Sequence, residues 1–150
     1  MRQRILIVDD EARVLLILHD TLQRLGSSFE VVTAQSGSEA LKEARKAAFD
    51  LVITDLRMPG MDGVELTRAL KAMHPDVNVV WITAYGCHKA SEESARLGVF
   101  RCLDKPLEIK QIRQVAQEAL NACLLYTSDA ADDLLCVDLG GRRIIKKKTK

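Results

Sequence analysis

Five short apolar segments, each followed by a stretch with helical periodicity, restrict the folds open to this chain more than any other feature. The segments are rich in Val, Ile and Leu and are not simple alternations of apolar and polar residues, which is typical of parallel strands buried on both faces of a sheet. The predicted strands are residues 4–8, 29–33, 50–54, 77–82 and 100–103. The predicted helices are residues 11–25, 37–48, 63–73, 87–96 and 107–121. This order predicts an α/β fold with a five-stranded parallel sheet.

Local signals at the ends of the helices support these boundaries. The segments Ser36-Gly37-Ser38-Glu39 and Asp62-Gly63-Val64-Glu65 match the capping box that starts many helices. Gly26 and Gly98 follow predicted helices, where glycine commonly ends a helix. The last helix has an apolar stripe that we expect to be buried against the sheet: Ile109, Ile112, Val115, Ala116 and Ala119.

Polar and charged residues stand where four of the strands end. Asp9-Asp10 follows the first strand, Asp55 the third, Thr83 the fourth and Lys105 the fifth. The carboxyl ends of parallel strands open onto one crevice, so we expect these side chains to converge. Three carboxylates in one place repel one another unless a cation neutralises them, and carboxylate oxygens suit Mg²⁺. The pattern therefore predicts a magnesium site at this edge.

Each of these residues also has a plainer interpretation. Asp9 and Asp10 are equally suited to capping the helix that starts near residue 11. Asp55 can be a loop carboxylate, Thr83 a strand-end hydroxyl and Lys105 a solvated surface charge. Taken singly these interpretations would be preferred, but the coincidence of four strand ends favours a functional site.

Four motifs, in this order and spacing, carry a resemblance to a known family. They are Val8-Asp9-Asp10-Glu11, the segment from Thr54 to Gly63 (TDLRMPGMDG), Thr83-Ala84 and Lys105-Pro106. Over about residues 3–121 the chain resembles the receiver domain of bacterial two-component response regulators. The resemblance implies a flavodoxin-like, doubly wound (βα)5 fold with strand order 2-1-3-4-5.

The resemblance also implies a role for each site residue. Asp55 would accept the phosphoryl group, Lys105 would pair with it, and Thr83 would supply the switch hydroxyl. Mg²⁺ would be held by the carboxylates of Asp9, Asp10 and Asp55 and by the backbone carbonyl of Arg57. The Lys105-Pro106 bond is implied to be cis, since only X-Pro bonds adopt that form cheaply.

By the same resemblance, the chain would act as a phosphoacceptor switch and not as an enzyme, apart from catalysing its own phosphorylation and dephosphorylation. A sensor histidine kinase or a phosphotransfer protein would supply the phosphoryl group. Phosphorylation would alter the surface formed by the fourth helix, fifth strand and fifth helix, and a homodimer formed on phosphorylation is left open. One position departs from the family: Cys102 stands where Tyr or Phe is usual, three residues before the lysine.

The main alternative is an aspartate-nucleophile, Mg²⁺-dependent phosphatase of the haloacid dehalogenase type. That class resembles a different pattern, with the nucleophile and the acid in one Asp-x-Asp after the first strand. Here Asp9 and Asp10 are adjacent and Asp55 follows the third strand. A nucleotide-binding module is disfavoured because neither GxGxxG nor GxxxxGK[ST] occurs.

Composition limits the location and the partners. Residues 1–122 hold 16 Lys and Arg against 17 Asp and Glu, so we expect no direct nucleic acid binding by this part. No apolar stretch is long enough to span a bilayer, and no signal peptide is visible, which predicts a cytoplasmic protein without membrane contact. The four cysteines form no CxxC pair, so we expect reduced thiols.

The end of the chain differs in character from the rest. Residues 123–133 (CLLYTSDAADD) resemble one reading frame of a translated sequencing-library adapter. We therefore expect a receiver domain over residues 1–122 and a non-native or disordered tail over 123–150. On that interpretation the natural chain was interrupted near Ala122, and any output domain that followed is lost.

Overall fold

The computed structural model describes residues 3–26, 29–84 and 86–129, and from residue 122 onward it describes the backbone alone. Five strands are each followed by a helix. The strands are β1 (Gln3–Val8), β2 (Phe29–Ala34), β3 (Leu51–Asp55), β4 (Asn78–Thr83) and β5 (Arg101–Asp104). The α-helices are α1 (Ala12–Gln23), α2 (Gly37–Lys46), α3 (Gly63–Met73), α4 (Ser91–Leu97) and α5 (Ile109–Asp129). A 3₁₀ turn, Cys87–Ala90, precedes α4.

All the strands run parallel, in the order β2-β1-β3-β4-β5. The predicted flavodoxin-like fold, with its doubly wound sheet and strand order, is confirmed. The register pairs Val8 with Thr54 and Thr83 with Asp104. The carboxyl ends of β1, β3, β4 and β5 therefore finish at the same edge, as parallel strands must if polar groups that follow them are to meet.

Alternate residues of the central strands point to opposite faces of the sheet and enter two separate cores. On β1, Ile5 and Ile7 belong to the core that includes residues of α1 and α5, whereas Leu6 and Val8 belong to the core that includes residues of α2 and α3. All four are 0% exposed. Because both faces are covered, every position of such a strand must be apolar, which explains the continuous Val, Ile and Leu runs.

The apolar stripe of α5 is mostly confirmed. Ile112, Val115, Ala116 and Ala119 are buried in the core shared with α1. Ile109 is 54% exposed, so the prediction is wrong for that residue. It is the first residue of α5, and the next two residues, Lys110 and Gln111, are exposed as well, so burial of the helix begins at Ile112.

The predicted helix caps have mixed outcomes. The Asp62-to-Glu65 capping box is present in full, and Gly98 ends α4 in the left-handed conformation with φ of 69°. Ser36 caps α2 through the backbone N–H of Glu39, but the Glu39 carboxylate accepts from Gln35 and not from Ser36. The prediction for Gly26 is wrong, because α1 already ends at Gln23 and Arg24 is its C-cap.

A disulfide joins Cys87, at the start of the 3₁₀ turn, to Cys102 on β5. Their Cα atoms are 5.7 Å apart, within the range that disulfides require. The prediction of reduced thiols is therefore wrong for this pair. It relied on spacing along the chain, whereas the pairing of β4 with β5 brings together residues that are 15 positions apart. The side chains of Cys123 and Cys136 lie outside the described part.

The chain divides into two units, Met1–Leu120 and Asn121–Lys150. The first holds the whole sheet; of the second, the structure describes only residues 121–129, the last residues of α5. The predicted end of that helix near residue 121 is therefore too early. The interpretation of residues 123–150 as a non-native or disordered tail stays a prediction, since residues 130–150 lie outside the described part. Within the described ranges, no helix combines the length and the apolar character needed to cross a bilayer.

Gly63 is the residue at which a substitution should damage the fold close to Asp55. A Cβ added there would meet the backbone carbonyl of Asp55 and lie 2.9 Å from the Cα of Leu56, and backbone atoms cannot move aside cheaply. We expect Gly63→Ala to lower the free energy of unfolding by about 1–3 kcal/mol, the usual cost of overpacking. Urea unfolding measures this directly.

Gly37→Ala is the matched control, because the three atoms nearest to a Cβ at residue 37 all belong to the side chain of Met61 and none is a backbone atom. We expect a smaller loss for the control than for Gly63→Ala. Equal stability of the Gly63→Ala variant and the unsubstituted protein would show that the Asp55 loop yields to the added methyl group.

Candidate functional site

Three carboxylates meet at the carboxyl edge of the sheet. Oxygen atoms of Asp9, Asp10 and Asp55 all lie within 4.8 Å of one another. Asp9 is 0% exposed and Asp55 is 6% exposed, whereas Asp10 is exposed to solvent. The convergence predicted from the strand ends is therefore present. Such proximity of buried carboxylates is costly unless positive charge is close by.

Backbone hydrogen bonds fix the two buried carboxylates. The backbone N–H of Asp9 donates to the carbonyl of Ala34 (3.2 Å), and the backbone N–H of Glu11 donates to Asp9 Oδ1 (2.9 Å). The backbone N–H of Arg57 donates to Asp55 Oδ1 (3.4 Å). The bond to Glu11 resembles a turn cap, but it occupies one oxygen only and leaves the other facing the cluster.

Lys105 supplies the positive charge inside the cluster. Its Nζ lies 3.3 Å from Asp9 Oδ2 and 3.3 Å from Asp55 Oδ2, and 3.7 Å from the exposed carboxylate of Glu11. Its backbone N–H donates to the carbonyl of Thr83 (2.8 Å), which ties the end of β5 to the end of β4. The peptide bond to Pro106 is cis, as the family resemblance implied.

The pKa values of Asp9, Asp55 and Lys105 are all raised, the two acids by burial and the lysine by the carboxylates around it. Burial raises the pKa of Asp9 to about 6, and the nearby Asp55 adds to the effect, although hydrogen bonding and Lys105 oppose it. Burial likewise raises the pKa of Asp55, against the opposing charge of Lys105. Burial alone would lower the pKa of Lys105, but the attraction of Asp9 and Asp55 outweighs it and the pKa is raised. The lysine therefore stays protonated.

The donor set fits a hard divalent cation. All the side chains that converge are carboxylates, which are preferred ligands of Mg²⁺, and one lysine does not balance three of them. Burial raises the pKa of Asp9, because the charged form of its carboxylate is costly away from water. A cation bound by Asp9, Asp10 and Asp55 would remove that imbalance.

Thr83 and Arg57 lie beside this cluster. Thr83 is 1% exposed at the end of β4, and it neighbours Asp104 of β5 in the sheet. Arg57 lies two residues after Asp55, in the loop that follows β3. This loop is bonded to β4 through the backbone N–H of Leu56, which donates to the Ile82 carbonyl (3.0 Å). The structure places both residues at the predicted edge. Their roles remain predictions.

A hydrogen-bonded chain behind the site was not predicted. The indole N–H of buried Trp81 donates to Thr67 Oγ1 (2.8 Å), and that hydroxyl donates to the Gly63 carbonyl (2.7 Å). The backbone N–H of Gly63 donates in turn to the Leu56 carbonyl (3.0 Å). The chain anchors the loop that follows Asp55 to the core. The sequence shows both side chains but gives no signal that they meet, since they lie on different elements.

Comparisons with known proteins match most of this chain. The family model for the response regulator receiver domain matches residues 5–117. Sporulation initiation phosphotransferase F of Bacillus subtilis is 33% identical over 120 residues, covering 80% of this chain and 95% of that protein. The transcriptional regulatory protein ZraR of Escherichia coli K12 is 35% identical over 116 residues, which are 77% of this chain but only 26% of ZraR.

A solved structure extends the similarity to three dimensions. The chemotaxis protein CheY4 of Vibrio cholerae superimposes with a TM-score of 0.74 at 30% identity, covering 80% of this chain and 100% of that one. Receiver domains are signalling switches of two-component systems, which interact with histidine kinases or phosphotransfer proteins and bind Mg²⁺ at an acidic pocket. The ordered motifs, the strand order and the carboxylate cluster agree with these matches, and the chain belongs to the response regulator receiver domain family.

Proposed function

We propose that this chain is a phosphoacceptor switch in which Asp55 receives a phosphoryl group from a histidine kinase or a phosphotransfer protein. The observation that supports it most is the position of Lys105, whose Nζ lies 3.3 Å from both Asp9 and Asp55. The ammonium group of Lys105, held beside the buried carboxylates of Asp9 and Asp55, is well placed to bind an incoming anion. Phosphoryl transfer depends mainly on such positioning and charge compensation.

In the proposed reaction an oxygen of Asp55 attacks the phosphorus of a phosphohistidine. A P–O bond forms, the P–N bond breaks, and the histidine nitrogen leaves with the electron pair. Lys105 then moves from the carboxylate to a phosphoryl oxygen, and the hydroxyl of Thr83 donates to another. Asp9, Asp10 and Asp55, with the carbonyl of Arg57, would hold Mg²⁺. When bound, the metal neutralises the negative charge of the carboxylates and of the phosphoryl group.

This proposal treats the protein as a switch and not as an enzyme acting on other molecules. It would catalyse only its own phosphorylation and dephosphorylation. The phosphatase alternative would need a second acid two residues after the nucleophile, and Arg57 occupies that position after Asp55. Immediately after β1, Asp9 and Asp10 are adjacent and differ in burial, which suits two metal ligands better than a nucleophile and its acid.

The response would be transmitted through α4, β5 and α5. Thr83 ends β4, and the segment that follows it leads directly to Cys87 and α4. Movement of the Thr83 hydroxyl toward the phosphoryl group would therefore change the conformation of this face. On phosphorylation, this face would also form the interface of a homodimer. In the family, an aromatic residue usually moves together with the threonine. Cys102 stands at that position here, and its side chain is too small to fill the space that the aromatic ring would occupy.

We propose that the phosphodonor docks beside α1. A groove of about 380 Å³ lies against this helix, lined by Leu15, Leu16, His19 and Glu39 among others. Leu16 is 69% exposed and Ile17 is 51% exposed, which is unusual for large apolar side chains without a partner. We further propose that the protein is cytoplasmic. Residues 1–122 would form the receiver domain and would not bind nucleic acid directly. Residues 123–150 would take no part in the site.

Asp55→Asn should abolish phosphorylation, because an amide nitrogen or oxygen does not form a stable acyl phosphate. Acetyl phosphate in Mg²⁺ buffer, followed by intact-mass spectrometry, measures an addition of one phosphoryl group. Asp104→Asn is the matched control: it too is a strand-end carboxylate, but its oxygen accepts from the Cys87 N–H. Undiminished labelling of the Asp55→Asn variant would end the assignment.

Asp10→Ala should weaken Mg²⁺ binding by roughly tenfold or more, since it removes one ligand of the proposed set. Isothermal titration calorimetry of the full chain measures the affinity. Asp20→Ala is the control, because Asp20 is an exposed carboxylate that pairs with Arg24 on α1. Equal affinities for the Asp10→Ala variant and the unsubstituted protein would place the metal elsewhere.

Asp9→Asn should stabilise the protein at neutral pH when Mg²⁺ is absent. The pKa of Asp9 is about 6 in the folded protein and near 4 when unfolded. Between these values the folded state binds more protons, so stability falls as pH rises from 4 to 6 and stays lower above 6. We expect Asp9→Asn to raise the free energy of unfolding by about 1–3 kcal/mol at pH 7 and by little at pH 4.

Chemical denaturation in a chelating buffer at the two pH values checks this. Asp10→Asn serves as the control, because the exposed Asp10 carboxylate keeps its water and should give a smaller gain. A gain for Asp9→Asn that is equal at pH 4 and pH 7 would show that burial of the charge is not its cause.

A further inference from the structure

The disulfide of Cys87 and Cys102 bridges the two segments on which the switch depends. Cys87 lies four residues after Thr83, at the start of the 3₁₀ turn that leads into α4. Cys102 lies on β5, three residues before Lys105, and neighbours Trp81 of β4 in the sheet. The covalent link therefore joins the connection between β4 and α4 to the strand that carries the lysine.

Two anchors hold this connection against β5. The first is at Thr83, whose carbonyl accepts from the Lys105 N–H (2.8 Å). The second is at Cys87, through the disulfide and through a hydrogen bond from its backbone N–H to Asp104 Oδ1 (2.8 Å). If the disulfide were reduced, the second anchor would consist of that hydrogen bond, which is exposed and readily exchanged for water.

Both cysteines are half-buried and so within reach of small thiols and disulfides. In reducing compartments, disulfides that do form are usually transient and redox-sensing. A pair whose Cα atoms are 5.7 Å apart needs no backbone rearrangement to close. The half-exposed position at the margin of the sheet also permits reopening without unfolding the core.

We propose that Cys87 and Cys102 form a redox modification site, at which a reversible disulfide limits the response of the α4-β5 face to phosphorylation of Asp55. In the oxidised form the segment from Cys87 to Cys102, which includes α4, is closed into a ring fixed to β5. In the reduced form the covalent link is gone while the Thr83 anchor and the exposed hydrogen bond of Cys87 remain, so the connection follows Thr83 more readily. The regulatory part rests on the proposed phosphoacceptor function.

The chemistry needs a small disulfide as oxidant, for example glutathione disulfide. The thiolate of one cysteine attacks a sulfur of glutathione disulfide and releases one glutathione. The second cysteine attacks the mixed disulfide and releases the other glutathione, so two thiols lose two electrons and two protons in total. A dithiol reverses both exchanges. Nothing in the sequence of steps involves the carboxylate cluster.

The modification site is tested on the full chain carrying Cys123→Ser and Cys136→Ser, which leaves the two cysteines of interest. The protein is equilibrated in buffers with different ratios of glutathione to glutathione disulfide, alkylated and digested with trypsin. We expect a cross-linked pair of peptides, residues 72–89 with residues 102–110, that rises with the disulfide fraction and disappears with dithiothreitol. Only free thiols or glutathione adducts at every ratio would overturn the site.

The regulatory part is tested by amide chemical shifts after treatment with acetyl phosphate and Mg²⁺. Both redox forms should gain one phosphoryl group, but shift changes across residues 87–104 should be at least halved in the oxidised form. The Cys87→Ser variant should respond as the reduced protein does in both buffers. Equal shift changes in the oxidised and reduced forms would overturn the regulation.

The two failures are distinguishable. Absence of phosphorylation in the reduced protein would overturn the proposed phosphoacceptor function, and the regulatory role with it. The cross-linked peptides would still decide whether Cys87 and Cys102 form a reversible disulfide, because that measurement does not depend on Asp55.

Discussion

The carboxylates of Asp9 and Asp55 share one lysine, and this uneven balance of charge governs the rest of the site. The buried Asp9 and Asp55 both contact a single ammonium group, and the exposed Asp10 completes the carboxylate cluster, so one lysine serves three groups that can each be negative. Burial strengthens every attraction and repulsion in the cluster. The cluster can therefore bind a metal ion, which would add the missing positive charge. Lys105 already lies where it could neutralise a phosphoryl group on Asp55.

The parallel sheet makes that arrangement possible without bringing distant loops together. The strands β1, β3 and β5 each end beside residues of the site, and their register brings these ends to the same edge, within two residues of one another. Two apolar cores cover the faces of the sheet and fix the strands laterally. The stability of the cores thus offsets the cost of holding like charges close together.

The sequence predicts most of this because its signals are local and periodic. Runs of apolar residues identified the strands, and the end of each run identified Asp9, Asp55, Thr83 and Lys105. What the sequence could not predict depends on contacts between elements. The 15-residue separation of Cys87 and Cys102 carries no spacing motif, and the exposure of Ile109 depends on where α5 meets the sheet. The partners of Trp81 likewise come from another element.

Trp81 is the one tryptophan of the chain, and its indole N–H is bonded to Thr67, which is bonded to the Gly63 carbonyl. Gly63 is joined in turn to the loop that begins at Asp55. The tryptophan fluorescence of this protein therefore comes from a single indole, which is connected through Thr67 and Gly63 to the loop that follows Asp55. A movement of that loop that broke this series of hydrogen bonds would change the polar contact of the indole, and with it the emission of Trp81, without any added label.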